Sequence, residues 1–460
     1  MMGMLAQAGA QLTASAEDAD VIVVNTCSFI GSAQQESVNT ILEMARHKIN
    51  GKAKRLVVAG CLVERFRNEI PKNIPEVDAV VGTGELTNIL DAAGISQPTA
   101  NRSPFNILSS RPEGNHRRQH GRFARDAWDG AVSDLPNYLY DDHTPRVLAT
   151  PSYSAYIKIA EGCDHPCTFC IIPQLRGQFR SRRFESVIAE AERLAQSGVR
   201  EITLIGQDTT CYGEDLGLRD GLPLLLEKLA QIDGLHWIRF LYAYPNKITG
   251  RLLETIAAHE NICSYVDVPL QHASATVLKR MKRGGGAEVF LRSIEKMRRT
   301  IPDVTLRTSF IVGFPGETEK EFNELCDFVH EAQFDWMGTF AYSDQEGAAA
   351  FDMENSEKLP SREIESRRKH LMSIQKKISR ARKKSLIGRE YDLLLMGSSD
   401  ETDLLLEGRT TMHAPEIDGK VFVNDYPGIG SGNGATPREG EFYRCRITAA
   451  HDYDLVAEIT

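Results

Sequence analysis

No run of about 18 apolar residues occurs anywhere in the sequence, so no segment is long enough to cross a bilayer as a helix. Its opening residues also lack the charged-then-apolar pattern of a secretion signal. From these two absences we expect a cytoplasmic protein with no membrane partner. Positive charge is in deficit: 54 Lys and Arg against 63 Asp and Glu leave a formal net charge of −9, which excludes a whole-chain nucleic-acid coat. Local basic patches stay open. No second CxxC and no HxxxH pair follows the densest cysteine cluster, as a structural zinc site would need. What is there is ordinary for a globular protein, with 42% apolar and 25% charged residues. The 460 residues suffice for about three domains.

The densest cluster reads Glu161-Gly-Cys163-Asp-His165-Pro-Cys167-Thr-Phe169-Cys170. CxxxCxxC supplies three thiolates to one metal group, whereas a [4Fe–4S] cluster is normally closed by four cysteinates. An iron without a protein ligand is a coordination site held open, as in catalytic metal centres, so chemistry is implied rather than electron storage. Nine cysteines, several in cluster-like spacing, suit a reducing compartment.

Along the chain, residues 20–26 and 55–59 are continuous apolar runs of the kind that fit buried parallel strands, ending at Cys27 and at Gly60-Cys61. A helix is predicted over 32–47 and a third strand over 79–81. Alternating strands and helices indicate a small doubly wound α/β domain over 1–95, with ligands beyond the strand carboxyl ends, where Cys27 and Cys61 lie. Residues 96–150 read as a polar linker, with a basic cluster at 116–122. Strands predicted over 154–159, 201–205, 237–241, 264–267, 305–312 and 335–341, with helices between them, give an open (β/α)6 barrel within 151–384. Polar and aromatic residues gather at the expected strand ends: Gln207, Asp208, Tyr242, Tyr244, Asp267, Gln271, Arg307 and Ser309. Gly313-Phe-Pro-Gly316 suits a close backbone approach to a ligand or a sharp strand-to-helix turn. After a charged helix over 360–386, short strands separated by Gly-rich turns predict a small antiparallel β-barrel over 385–460, with Cys445 in its core.

With Phe169 before its last cysteine, the CxxxCxxC segment resembles the radical S-adenosylmethionine (SAM) superfamily. That resemblance implies that the open iron chelates SAM, with the Gly313–Gly316 segment beside the adenosine. The whole chain outside the linker resembles the methylthiotransferases, which join an N-terminal cluster domain, a radical SAM barrel and a TRAM barrel. Val-Asn-Thr-Cys27, Ala-Gly-Cys61, the Cys163–Pro173 segment and Arg176-Gly-Gln-Phe-Arg-Ser-Arg182 carry the likeness. It implies two [4Fe–4S] clusters, one held by Cys163, Cys167 and Cys170 and an auxiliary one by Cys27 and Cys61. With Gly313 and Gly316, the strand-end residues Gln207, Asp208, Tyr242, Gln271 and Arg307 are the candidate SAM contacts. An electron donor such as a flavodoxin or ferredoxin, and RNA contact by the C-terminal barrel, belong to the same expectation.

Two branches of that family compete. Phe240-Leu-Tyr-Ala-Tyr-Pro245, Asp267-Val-Pro-Leu-Gln-His272 and Phe340-Ala-Tyr-Ser-Asp-Gln-Glu-Gly347 look like the branch that methylthiolates an aspartate of a small-subunit ribosomal protein. The other branch acts on a transfer RNA adenosine and carries Ser-His-Pro where Tyr-Ala-Tyr-Pro stands here. A reading of another class, a non-catalytic iron–sulfur RNA-binding or sensing protein, is disfavoured by the intact CxxxCxxC. The family takes a third auxiliary cysteine from a loop after its first strand, and this chain opens at Met1-Met-Gly-Met, in what should be the following helix. The expectation is a misassigned start and a chain that cleaves SAM but assembles the auxiliary cluster poorly, with Cys211 badly placed to substitute.

Overall fold

The computed structural model describes residues 1–95, 136, 138–399, 402, 405–427 and 436–460. Most of the segment read as a linker, its basic cluster included, lies outside them. The described chain forms two compact units, one of residues 1–138, 144–147 and 174–177, the other of the remainder.

In the first unit, β1 (Val21–Thr26), β2 (Arg55–Gly60) and β3 (Ala79–Val81) pair in parallel in that order. Their apolar runs are continuous because both faces are covered. Ile22, Val24, Leu56 and Val58 pack with Ile41 of α2 (Gly31–Asn50), Leu62 of α3 (Cys61–Phe66) and Ile70 of α4 (Glu69–Asn73). On the opposite face, Val57, Ala59 and Val81 pack with Leu5 of α1 (Met2–Gln7) and with Ile89 and Leu90 of α5 (Ile89–Ala92). This is the doubly wound arrangement expected from the strand–helix alternation.

In the second unit, β4 (Ser154–Lys158), the short antiparallel pair β5 (Ala160–Glu161) and β6 (Arg180–Ser181), β7 (Glu201–Ile205) and β8 (Trp237–Phe240) are followed by β9 (Tyr265–Asp267), β10 (Thr305–Val312) and β11 (Trp336–Ala341). The long strands pair in parallel as β4-β7-β8 and β9-β10-β11, and an Ile238–Ile262 bridge joins the two halves. Among the described residues no ladder links β4 to β11, so the barrel is open. The short α6 (Ile172–Arg176) follows the cysteine loop, its last three residues counting with the first unit; α7 (Phe184–Gln196), α8 (Gly221–Leu229), α9 (Gly250–Ala258), α10 (Ala275–Arg280), α11 (Ala287–Thr300) and α12 (Glu319–Ala332) alternate with the strands. Ile157, Ile202, Leu204, Ile238, Phe240, Val266, Leu306 and Phe310 form the core beneath these helices. Strand side chains alternate between faces, so the intervening positions face the barrel interior: Tyr156, Glu201, Thr203, Arg239, Tyr265, Asp267, Arg307 and Ser309. That interior is polar.

Helix α13 (Ser361–Lys384) leads into β12 (Glu390–Ser398), β13 (Leu406–Arg409), β14 (Val421–Asp425), β15 (Phe442–Ala450) and β16 (Leu455–Ile459), which close as β12-β13-β14-β16-β15. Four of the five ladders are antiparallel, as the short strands predict. The β14–β16 ladder is parallel, because β15 pairs with β12 on the far side and the returning β16 enters beside β14 in the same direction. Leu393, Leu395, Val421, Cys445, Ile447 and Leu455 fill this second barrel.

The loop after β13 seals one end of the larger barrel. Arg239 Nη1 donates to the Thr411 carbonyl (2.9 Å), Trp336 Nε1 to that of Met412 (2.7 Å), and the Tyr265 hydroxyl to Asp418 Oδ2 (2.6 Å). Glu201, Tyr265 and Trp336 each begin their strand, so the amino end of the barrel is closed and its chemistry faces the carboxyl end.

Candidate active site at the carboxyl end of the barrel

The cysteine loop leaves β5 through Gly162, whose N–H donates to Gln207 Oε1 at 2.8 Å. Gln207 follows β7, so the end of one strand fixes the loop that leaves its neighbour. Downstream, Thr168 is held at both polar groups: its N–H donates to the Met281 carbonyl (3.1 Å) and its hydroxyl to that of Arg280 (3.0 Å). The Cys170 N–H returns to the Cys167 carbonyl at 3.1 Å, closing a tight turn that puts two cysteines three apart on one side. Phe169 packs against the barrel core.

Cys163, Cys167 and Cys170 are half-buried free thiols, and the nine cysteines form no disulfide. Burial pushes the Cys163 thiol up to about 11 and Cys170 to about 12. Both are neutral at pH 7 without a cation, so iron must displace their protons as it binds. Arg283 donates through Nη1 to Cys167 Sγ at 3.5 Å and through Nη2 to the Pro269 carbonyl at 2.9 Å. Its guanidinium lies 4.5 Å from the centroid of the Tyr244 ring, which stacks on His165 at 3.8 Å. His165 Nε2 meets Asp208 Oδ2 at 2.6 Å. Arg283, Tyr244, His165 and Asp208 thus brace the loop from three segments of the barrel.

Asp208 is buried, which alone would raise its carboxyl; hydrogen bonds from His165, Thr210 and Cys211 outweigh this and hold it below the usual carboxylate range. The Cys211 thiol donates to Asp208 Oδ2 at 3.1 Å, and burial beside that carboxylate pushes it well up. His165, Asp208 and Cys211 therefore read as a hydrogen-bonded triad.

Tyr242 and Gln271, after β8 and β9, have φ of 63° and 72°. Left-handed backbone at a non-glycine residue costs of order 1–3 kcal/mol and persists only where its surroundings enforce it. Tyr242 N–H is held by Asp267 Oδ2 (3.0 Å), and Gln271 exchanges backbone hydrogen bonds with Ser309 and Ile311 (both 2.8 Å). Tyr242 is 42% exposed at the mouth.

Gly313 and Gly316 sit in the turn from β10 to α12. At Gly313, with φ 75°, a Cβ would lie 2.5 Å from Ile364 of α13, so packing accounts for this glycine. Its N–H donates to the buried Glu317 Oε2 (2.9 Å), and Glu317 Oε1 takes Arg367 Nη1 (2.6 Å). Gly316 accepts from Arg280 Nη2 at 2.9 Å. Arg307 is third in its eight-residue strand, short of the carboxyl end where the sequence reading put it, and its guanidinium engages Asp267 (2.8 Å) and Asp418 (3.5 Å) on the side of the sealing loop. Arg283 went unread in the sequence; its one signal is an arginine between α10 and the run Gly284-Gly-Gly286.

The residues present fit an iron–sulfur cluster and SAM by their chemistry. Three thiols share one braced loop, and each can give up its proton to a metal.

In the first unit, the β1–β2 register pairs Thr26 with Gly60, so Cys27 and Cys61 each follow a paired position by one residue. Strands lie about 4.8 Å apart, so the two cysteines leave the sheet's carboxyl edge from adjacent strands. The Cys27 N–H donates to Ser37 Oγ, which donates back to the Cys27 carbonyl, both at 3.0 Å. Cys27 is exposed and Cys61 buried.

Three family models match the chain: Radical SAM superfamily over residues 157–329, Uncharacterized protein family UPF0004 over 1–82, and TRAM domain over 387–460. Radical SAM membership implies SAM and an iron–sulfur cluster. Among curated relatives, the ribosomal protein uS12 methylthiotransferase RimO of Koribacter versatilis is 67% identical over 100% of this chain and 92% of its own length. The RimO proteins of Solibacter usitatus and Geobacter sulfurreducens are 54% and 43% identical over 100% of this chain, and over 90% and 94% of their own lengths. On this likeness across its whole length, the chain belongs to the RimO family of radical SAM methylthiotransferases.

Proposed function

We propose that the protein transfers a methylthio group to the β-carbon of an aspartate in the small-subunit ribosomal protein uS12. The 67% identity to a uS12 methylthiotransferase, unbroken from the first unit to the C-terminal barrel, carries this reading. When bound, the cluster and SAM supply a 5′-deoxyadenosyl radical able to take a hydrogen atom from carbon.

Cys163, Cys167 and Cys170 would hold that cluster, and Gln207 and Thr168 fix their loop against the barrel. Arg283 sets a positive charge against the sulfur of Cys167. Tyr242 and Gln271, held in strained backbone after β8 and β9, stand where SAM and the substrate aspartate would be oriented. The loop after β13 closes the amino end, so the chemistry faces the carboxyl end, where a bound substrate would displace water. Cys27 and Cys61 fit as two ligands of a second cluster, from which the sulfur would come; two thiols leave that site dependent on further ligands. The electron donor would be a small reduced protein of the flavodoxin or ferredoxin class.

The test is mass spectrometry of uS12 and of transfer RNA after incubation with iron-reconstituted protein, SAM, sulfide and a reductant. A methylthio increment on the uS12 aspartate is expected. Modified adenosine with untouched uS12 would move the protein to the transfer RNA branch.

A further inference from the structure

We propose that the outward face of α13 binds the phosphate backbone of ribosomal RNA. Residues 366–389 contain ten Lys and Arg and no Asp or Glu, in a chain whose net charge is −9. An α-helix turns about 100° per residue. Arg362, Ser366, Lys369, His370, Ser373, Lys376, Lys377, Arg380 and Lys384 therefore fall within an arc of roughly 120°, and all nine are exposed. From Lys369 to Lys384 the row runs about 22 Å along the axis, with a cation at nearly every turn of its second half. Its opposite side, Ile364, Leu371, Gln375 and Ile378, is buried against the barrel and fixes the row in place.

The charge on this face is largely free. Lys377 and Lys384 form no ion pair among the described residues, and Lys369 has only a 3.8 Å approach to Glu365; Asp452 is the one acid set against the row, taking Lys376 at 3.0 Å and standing 3.7 Å from Arg380. The neighbouring β-barrel differs. Residues 387–460 carry six Lys and Arg against fourteen Asp and Glu, and the exposed Arg444 and Arg446 are paired with Glu390, Asp392 and Glu458. A polyanion is thus repelled by the barrel and attracted to the helix.

A straight row of cations in excess of their acidic partners on a rigid helix suits a regularly spaced polyanion. A bilayer is less well matched, because Ile387 is the large apolar side chain exposed next to the row. Naming ribosomal RNA as the polyanion rests on the uS12 reading; attraction of RNA to the helix does not.

The test is fluorescence anisotropy of the reconstituted full chain with a labelled ribosomal RNA hairpin, over a salt series. The triple variant Lys377→Gln, Arg380→Gln, Lys384→Gln is compared with wild type and with Arg444→Gln, Arg446→Gln. Each phosphate contact contributes roughly 0.7–0.9 to the slope of log affinity against log salt, so the triple variant should lose about 2 units of slope and bind at least about 10-fold more weakly at low salt. The double variant should match wild type, and SAM cleavage should be unchanged in both. Equal binding by the triple variant overturns the proposal, as does wild-type affinity for polyglutamate or phosphatidylserine vesicles equal to that for RNA. If the hairpin binds through α13 while uS12 stays unmodified, the function reading falls and this surface stands.

Discussion

Glu201 and Arg409 are 208 residues apart and meet in a fully buried two-point ion pair, Nη1 to Oε1 at 3.0 Å and Nη2 to Oε2 at 2.6 Å. Glu201 begins β7 of the radical SAM barrel and Arg409 ends β13 of the TRAM barrel. Burial alone would raise the Glu201 carboxyl, and the Arg409 guanidinium reverses this. Removing one partner of such a pair strands a buried charge, at about 3–5 kcal/mol. Arg409→Met should therefore lower unfolding stability in urea by about that much. The Glu201→Gln, Arg409→Met double variant should recover little of the loss, since it leaves the buried Arg239 guanidinium, 3.8 Å from Glu201, without its carboxylate.

Gly60 precedes Cys61 with φ 102° and ψ −159°, a conformation open essentially to glycine, and a Cβ there would lie 2.5 Å from the Thr26 carbonyl oxygen. That oxygen belongs to β1 backbone and has no room to retreat. Gly60→Ala should destabilise the first unit by about 2 kcal/mol or more and displace Cys61 from Cys27. Iron analysis of the reconstituted variant should show loss at the auxiliary site, with SAM cleavage retained.

The strands and both cysteine groups are legible from one-dimensional pattern: period-two and continuous apolar runs mark the strands, and thiol spacing marks the loop. What pattern omits is contact between distant segments. Nothing local marks Glu201 for Arg409, or Arg283 for Cys167. Gly313 illustrates the same limit from the other side, since its glycine suits a ligand approach in the sequence, while the structure spends the missing Cβ on Ile364. Arg307 reads as a mouth residue because it lies on the right strand, yet it sits low enough to engage the TRAM loop.

Arg283 touches the sulfur of Cys167 and no other cysteine by hydrogen bond. Hydrogen bonds to cluster sulfurs and nearby positive charge favour the reduced state. Arg283→Met should lower the cluster's reduction potential, read by EPR-monitored titration, and slow SAM cleavage by roughly 10-fold, whereas Arg283→Lys should recover part of the potential.

Lys383 is buried, its ammonium 3.6 Å from the Trp336 ring centroid, and burial lowers it to about 8 despite nearby acids. The unfolded lysine titrates near 10.4. Between these values the unfolded chain holds a proton that the native chain has released, so stability from this group rises with pH from about 8 to about 10. Compared with Lys383→Met, wild type should gain about 2 kcal/mol over that range in urea unfolding. A constant difference would place the lysine in an unshifted environment.

On the reading proposed above, the three-cysteine loop at the barrel's carboxyl end drives methylthio transfer to uS12. The most direct test of that reading is mass spectrometry of uS12 after reaction with reconstituted wild type and with Cys167→Ala, with 5′-deoxyadenosine measured in the same samples. Wild type should yield a methylthio-aspartate and 5′-deoxyadenosine, and Cys167→Ala neither. Modified uS12 from the Cys167→Ala protein, or a wild type that forms 5′-deoxyadenosine and leaves uS12 unmodified, would contradict it.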